Sequence, residues 1–176
     1  MYTIVLREQA EKGEGTTFVI KIPFKIDQDA DKDKKQKDMS EKSIKDLKIL
    51  LVEDNELNME IAEFVIQNEG ASVTKAWNGQ EAVEIFKKSR PDEFDVILMD
   101  IMMPIKNGYE AAKMIRTLDR DDAKTVPIIA MTANAFTEDR LKSKESGMNE
   151  HIAKPIDAKL LVKVISEFVE NKEEDS

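Results

Sequence analysis

The amino-acid sequence predicts an α/β fold in which helices cover both faces of a parallel sheet. Two apolar runs, Ile49–Val52 and Val96–Met99, are typical of strands buried on both faces, as in a parallel sheet. Segments with helical periodicity alternate with the apolar runs, and this alternation calls for crossover connections between parallel strands. Acidic residues follow both runs, and doubly wound sheets place their active sites at that end of the strands.

The first 26 residues predict a β-hairpin. Thr3–Leu6 and Thr17–Ile22 are short segments of apolar and β-branched residues, and they flank the turn-forming stretch Glu11–Gly15. Residues 27–46 follow and are almost wholly charged or polar, so they cannot bury a core and we expect a solvated linker. We therefore expect the α/β domain to occupy residues 47–171.

The remaining helices and strands follow from periodicity and turn residues. Apolar residues recur at helical spacing over residues 58–67, and Gly70 is expected to end that helix. The further elements that we expect are a strand at 71–76, a helix after Asn78-Gly79, a helix at 109–118, a strand at 126–131, a polar helix at 136–146, a strand at 151–153 and a helix at 158–169.

The acids that follow the two central strands predict a metal site. If both strands are parallel and central, Glu53 and Asp54 come together with Asp100 at one edge of the sheet. Each close pair of carboxylates costs about 4 kcal/mol at an effective dielectric near 20, so a cation between them is required. Hard oxygen ligands, with water completing the shell, suit Mg²⁺. For Asp100 alone, capping of the next helix is the competing interpretation.

Two further strands end in groups suited to phosphoryl transfer. One strand ends in the hydroxyl of Thr132, and the strand at 151–153 leads into Lys154 and Pro155. A metal and a lysine neutralise phosphoryl oxygens while a carboxylate attacks in line. Singly, Thr132 could be an ordinary N-cap and Lys154 a solvated surface lysine. Their joint occurrence at strand ends favours the phosphoryl-transfer interpretation.

With these residues in place, the chain over residues 47–169 resembles the receiver domain of two-component response regulators. Met103-Pro104 and Gly108 fit that family's Asp-x-x-Met-Pro-x-x-x-Gly signature. The resemblance implies a flavodoxin-like (βα)5 fold with strand order 2-1-3-4-5. It implies that Asp100 is the phospho-acceptor, that Asp54 binds Mg²⁺ directly and Glu53 through water, and that the backbone carbonyl of Met102 completes the protein ligands.

The resemblance also implies a conformational switch. Thr132 would be the switch hydroxyl, Ala133 the small residue after it, and Lys154 the lysine that pairs with the phosphoryl group, with a cis peptide bond before Pro155. His151 stands where the family usually has an aromatic switch residue. For this histidine, a surface position without a role is the alternative to a switch function.

The hairpin carries a second, shorter resemblance. The pattern Gly13-x-Gly15-Thr16-x-Phe18 with Pro23 resembles the last hairpin of the ATP-binding domain of sensor histidine kinases. It implies that this chain is the C-terminal part of a hybrid histidine kinase. The segments that form a nucleotide pocket would precede Met1, so we expect no ATP binding by this chain.

The composition of the chain excludes several classes of partner and chemistry. A net charge of −9 argues against nucleic acid, because neutralising phosphates requires a basic face. The absence of cysteine excludes disulfides and thiol chemistry, and no apolar stretch approaches the length of a membrane span. We therefore expect a cytoplasmic protein. The resemblance to receiver domains implies that its partner is a histidine kinase or a histidine phosphotransfer protein. The sequence leaves the oligomeric state open.

Two other functions compete with a phosphorelay receiver. A Mg²⁺-dependent phosphohydrolase with an aspartyl nucleophile would need a second Asp two residues after the first, where this chain has Met102. A receiver-like module that only docks on partners would not need competent residues at all five functional positions. We therefore expect a receiver that catalyses its own phosphorylation and dephosphorylation and nothing further.

Overall fold

A computed structural model of the chain describes residues 5–11, 15–21, 43–133 and 137–174. The chain divides into two compact units, Met1–Ser40 and Glu41–Ser176. The described part of the first unit is a two-stranded antiparallel hairpin of β1 (Val5–Glu11) and β2 (Gly15–Lys21). The hairpin prediction is confirmed, although pairing continues to Glu11 and Gly15, which had been expected in the turn. The expected turn residues 12–14 and linker residues 27–42 lie outside the described residues.

The second unit contains one parallel sheet. Its strands are β3 (Lys48–Val52), β4 (Ser72–Ala76), β5 (Val96–Asp100), β6 (Ile128–Thr132) and β7 (Glu150–Ala153). They are hydrogen-bonded in the order β4-β3-β5-β6-β7. Numbered within this unit the order is 2-1-3-4-5, which confirms the flavodoxin-like (βα)5 fold.

Six helices connect and follow these strands in the described residues. They are α1 (Glu56–Asn68), α2 (Gly79–Lys88), α3 (Gly108–Arg116), α4 (Asp122–Thr125), α5 (Thr137–Glu145) and α6 (Ala158–Glu174). Asparagine side chains cap the first three: each accepts a backbone N–H from the first turn, at Asn55, Asn78 and Asn107. These caps fix where the helices begin, immediately after the loops that follow β3, β4 and β5.

The sheet is buried on both faces, as the uninterrupted apolar strands predicted. Along β3, Leu50 and Val52 pack with residues of α2 and α3, whereas Ile49 and Leu51 pack on the opposite face with residues of α1 and α6. This alternation follows from the two-residue period of a strand. Because both faces are filled, the carboxyl-terminal edge of the strands is the place where polar side chains can gather.

Two features differ from the sequence expectations. Ile44 is fully buried and belongs to the same core cluster as Ile49, so residues before 47 also contribute to the core. The short helix α4 was not expected, because four residues are too few to show a helical apolar period.

Candidate functional site

The three predicted acids converge at the carboxyl-terminal edge of the sheet. Asp100 is the last residue of β5, and Glu53 and Asp54 follow directly after β3, its hydrogen-bonded neighbour. One carboxylate oxygen from each acid lies within 4.8 Å of the others. Glu53 and Asp100 are buried, with 1% and 4% of their surface exposed, whereas Asp54 is exposed. The predicted cluster is present, and Asp54 is its solvent-facing member.

Lys154, which follows the edge strand β7, reaches the same cluster. Its Nζ donates to Glu53 Oε2 at 2.5 Å and to Asp100 Oδ2 at 2.8 Å. The residue follows β7, and its backbone N–H donates to the carbonyl of Thr132 at 2.7 Å. The peptide bond between Lys154 and Pro155 is cis, as the resemblance implied.

The cluster raises the pKa of both Asp100 and Lys154. Burial raises the pKa of Asp100, and the nearby charge of Glu53 raises it further, while the Lys154 ammonium and the Met102 N–H offset only part of this. Burial alone would lower the pKa of Lys154, but its hydrogen bonds and charge interactions with Asp100 and Glu53 outweigh burial and raise it. Burial is thus the main cause of the raised pKa of Asp100, whereas the contacts with the two acids decide the direction of the shift for Lys154.

The loop after β5 is held close to Asp100. Met102 N–H donates to Asp100 Oδ1 at 3.2 Å, and Gly108 N–H donates to the carbonyl of Ile101 at 3.0 Å. A Cβ at Gly108 would lie 2.2 Å from the carbonyl oxygen of Asp100, so only glycine fits there. Gly79 contacts the same loop: its N–H donates to the carbonyl of Lys106 at 3.1 Å, and a Cβ there would lie 2.5 Å from that oxygen.

The expected switch residues lie at the ends of β6 and β7. Thr132 is the buried last residue of β6 and pairs with Ala153, the last residue of β7. Ala133 follows and is exposed. His151 lies on β7 beside Ala130, and its Nδ1 is 2.8 Å from Glu150 Oε1. The imidazole of His151 thus contacts a neighbouring surface carboxylate, whereas Lys154, three residues later, contacts the acid cluster.

One contact of the cluster was missed by the sequence analysis. Asn58, in the first turn of α1, donates its Nδ2 to Glu53 Oε1 at 3.0 Å. The sequence analysis placed this residue at the start of a helix and gave it no role. The available signal was the position of the helix: α1 begins three residues after Glu53, so its first turn lies close to that acid.

The comparisons with known proteins agree with this geometry. The family model described as the response regulator receiver domain matches residues 49–166. Hybrid signal transduction histidine kinase I of Dictyostelium discoideum is 38% identical over 121 residues, which make up 68% of this chain and 7% of that protein. Aerobic respiration control sensor protein ArcB of Escherichia coli (strain K12) is 31% identical over 168 residues, or 94% of this chain and 20% of ArcB. The chain therefore spans a small part of these relatives.

A solved structure has the same fold. The receiver domain of sensor histidine kinase PA1611 from Pseudomonas aeruginosa PAO1 superposes with a TM-score of 0.65 at 36% sequence identity, covering 71% of this chain and 98% of that one. That protein was crystallised with a magnesium ion coordinated in its active-site cleft. No helix among the described residues is long and apolar enough to span a membrane. Family model, relatives and fold lead to one conclusion: this chain belongs to the response regulator receiver domain family.

Proposed function

We propose that Asp100 accepts a phosphoryl group from a phosphohistidine donor in a phosphorelay. The observation that carries this proposal is the convergence of Glu53, Asp54 and Asp100 with Lys154 at one edge of the sheet. Three acids with one lysine leave the site net negative, which a purely structural ion cluster would avoid. A site that gathers acids around a buried carboxylate is suited to a metal and an incoming phosphoryl group.

The donor set fits Mg²⁺. The available ligands are hard carboxylate oxygens that lie within 4.8 Å of one another, and the negative charge that the lysine leaves uncompensated matches a divalent cation. Asp54 and Asp100 would hold the ion directly, together with the backbone carbonyl of Met102, and Glu53 would act through water. When bound, the ion neutralises the charge on the phosphoryl oxygens.

The transfer itself uses the residues of this chain in fixed roles. A carboxylate oxygen of Asp100 attacks the phosphorus, the phosphorus–nitrogen bond of the donor breaks, and its electron pair returns to the imidazole nitrogen. Lys154, which now donates to Glu53 and Asp100, pairs with the phosphoryl oxygens as they arrive. The Thr132 hydroxyl donates to the same group, and water later hydrolyses the acyl phosphate.

We further propose that this chemistry switches the surface around β6 and β7. The new phosphoryl charge attracts Thr132 and Lys154. Their movement shifts the conformational equilibrium of the neighbouring parts of β6 and β7, where Ala133, His151 and Pro155 lie. His151 is proposed as the switch residue on β7. A histidine kinase or a histidine phosphotransfer protein would be the donor, in the cytoplasm.

The origin of residues 1–26 is also a proposal. We infer that they are the end of the ATP-binding domain of a hybrid histidine kinase, followed by a linker and then the receiver domain. Two observations support this inference: an antiparallel hairpin precedes the domain, and the match to ArcB extends over 94% of the chain rather than over the receiver domain alone.

Intact mass measurement tests the proposed function. Incubation of the full chain with acetyl phosphate and MgCl2 should add one phosphoryl group, and EDTA should prevent the addition. Asp100→Asn should remove the mass shift while the chain stays folded. Phosphorylation of the Asp100→Asn variant to the wild-type extent would overturn the assignment, and no phosphorylation of the wild type would favour a module that only docks on partners.

A further inference from the structure

We propose that Asn58 is a positioning residue that keeps the Glu53 carboxylate oriented for the metal site. This inference rests on the proposed function. Glu53 is almost fully buried, and its two oxygens have different partners: Oε1 accepts from Asn58 Nδ2 at 3.0 Å, and Oε2 accepts from Lys154 Nζ. The orientation of this buried acid is therefore fixed from both sides.

The chemistry of the two groups determines which atom of Asn58 faces Glu53. An ionised carboxylate can only accept hydrogen bonds, so the amide must present its NH2 group. The position of that donor is set by the helix start, because the backbone N–H of Asn58 donates to the capping oxygen of Asn55 at 3.0 Å. Asn55 therefore fixes the first turn of α1, and that turn fixes the donor to Glu53.

The role of Asn58 differs from that of Lys154. Lys154 divides its ammonium between Glu53 and Asp100, and in the proposed reaction it moves to the phosphoryl group. Of the two side-chain partners of Glu53, Asn58 is the one that stays. A buried carboxylate that loses its hydrogen-bond donors carries a large desolvation penalty and reorients. Asn58 therefore keeps Glu53 facing the acid cluster throughout the reaction.

The expected effect is on metal affinity. Groups that orient metal ligands or the outer coordination shell typically change affinity by about 10–100-fold when they are removed. Since Glu53 is proposed to act through water, we expect the lower end of that range. Asn58→Leu, which keeps the shape of the side chain and removes the donor, should weaken Mg²⁺ binding about tenfold.

The same helix offers a matched control. Gln67, near the end of α1, also donates a side-chain amide to a glutamate, with its Nε2 3.3 Å from Glu63 Oε1, but both residues lie away from the acid cluster. Gln67→Leu removes an amide–carboxylate bond of the same chemical kind, here an exposed one, from the same helix. It should leave Mg²⁺ affinity unchanged.

The experiment is a calorimetric titration of the full chain with MgCl2, with circular dichroism to confirm that each variant is folded. Acetyl phosphate phosphorylation at varied Mg²⁺ supplies a second readout. In Asn58→Leu the half-saturating Mg²⁺ concentration should rise about tenfold, while the rate at saturating Mg²⁺ stays within about twofold of wild type. A merely structural residue would not separate these two quantities.

The outcomes separate the two proposals. Equal Mg²⁺ affinity in wild type and Asn58→Leu would overturn the role of Asn58 and leave the proposed function intact. No Mg²⁺ binding by the wild type would overturn the proposed function itself. If Asn58→Leu fails to fold, Asn58→Ala decides, because alanine is the best helix former and also lacks the donor.

Discussion

Two charged clusters among the described residues of the α/β unit each contain a buried aspartate, and the pKa values of these aspartates, Asp100 and Asp122, shift in opposite directions. The first is the site cluster of Glu53, Asp54, Asp100 and Lys154. The second, which we call the clip cluster, consists of Arg120 and Asp122 with the end of α2. In the clip cluster the Arg120 guanidinium donates to both carboxylate oxygens of Asp122 at 2.6 Å.

In the clip cluster the positive charge of Arg120 is balanced by the negative charge of Asp122. Arg120 also donates to the carbonyls of Phe86 at 2.6 Å and Arg90 at 2.9 Å, and it lies over the Phe86 ring. The Arg120 hydrogen bond lowers the pKa of Asp122, and the same bond raises the pKa of Arg120. Both partners therefore favour their charged forms, which is the signature of a stabilising ion pair.

In the site cluster the pKa shift has the opposite sign: burial raises the pKa of Asp100, and the charge of Glu53 raises it further. Burial is the largest cause at Asp100, and the charge balance of the two clusters adds to the difference. The clip cluster pairs one acid with one guanidinium, whereas the site cluster sets three acids against one ammonium. An excess of negative charge costs folding free energy and at the same time provides a place for a cation.

The largest effect on stability is expected in the clip cluster. Asp122→Asn should destabilise the protein by about 1.5–3 kcal/mol, because it replaces a charge-assisted pair of hydrogen bonds to Arg120 by neutral ones, while the charges of Asp92 and Glu93 remain close to the guanidinium. Chemical denaturation at neutral pH measures this. A loss below about 1 kcal/mol, the typical value for an exposed pair, would show that the clip cluster does not stabilise the fold.

The same variant has a pH signature. Folding lowers the pKa of Asp122. The ionised carboxylate therefore stabilises the folded protein at pH values above its pKa in the unfolded chain, and this stabilisation is lost as the pH falls through its pKa in the folded protein. The stability difference between wild type and Asp122→Asn should therefore narrow below about pH 4. A constant difference down to the lowest accessible pH would contradict this sign.

The next effect concerns the metal. Asp54→Ala should reduce Mg²⁺ affinity about 100-fold, and Glu53→Ala about tenfold, since water can still fill the outer shell in the second variant. Calorimetric titration with MgCl2 ranks the two. Equal affinity in wild type and Asp54→Ala would remove the metal from the interpretation of the site cluster.

A substitution of the same kind as Asp122→Asn should have the opposite sign at the acceptor. Asp100→Asn should stabilise the metal-free protein by about 1–2 kcal/mol, less than the about 4 kcal/mol of one unscreened close pair because Lys154 compensates part of the repulsion. Denaturation in the presence of EDTA measures this. A destabilised Asp100→Asn would mean that the site cluster is balanced in the same way as the clip cluster.

The pH dependence of this variant should also be reversed. Folding raises the pKa of Asp100. The stability that goes with its protonated form is therefore fully present at pH values below its pKa in the unfolded chain, and it is lost as the pH rises through its pKa in the folded protein. The advantage of Asp100→Asn should therefore be absent in acid and should grow toward neutral pH. An advantage that shrinks as the pH rises would contradict the raised pKa.

The smallest effect is expected in the loop after β5. Ile105 has a φ of 68° and is 82% exposed, so a β-branched residue occupies a left-handed conformation without burying its side chain. Ile105→Gly should therefore stabilise the protein by about 1 kcal/mol. Met102→Gly is the control: it is exposed in the same loop without a positive φ, and it should not stabilise the protein. Equal effects of the two substitutions on stability would show that backbone strain at Ile105 is not the cause.

The sequence predicted the site cluster better than the clip cluster, for a physical reason. Glu53 and Lys154 each come directly after a strand and Asp100 ends one, and parallel strands bring their carboxyl ends to one edge, so topology alone places them together. Arg120 meets carbonyls about 30 residues away through loop geometry that no periodicity encodes. Asn58 and Ile44 were missed for a similar reason: their roles depend on tertiary contacts rather than on local pattern.

The two glycines that hold the acceptor loop limit how this region can evolve or be engineered. Gly108 leaves no space between the first turn of α3 and the backbone of Asp100, and Gly79 holds the loop from α2. Between them, Met102 and Ile105 expose their side chains and accept other residues without disturbing the core. An insertion or deletion, in contrast, would have to break one of the two attachments. The loop can therefore vary in chemistry, but its length is fixed.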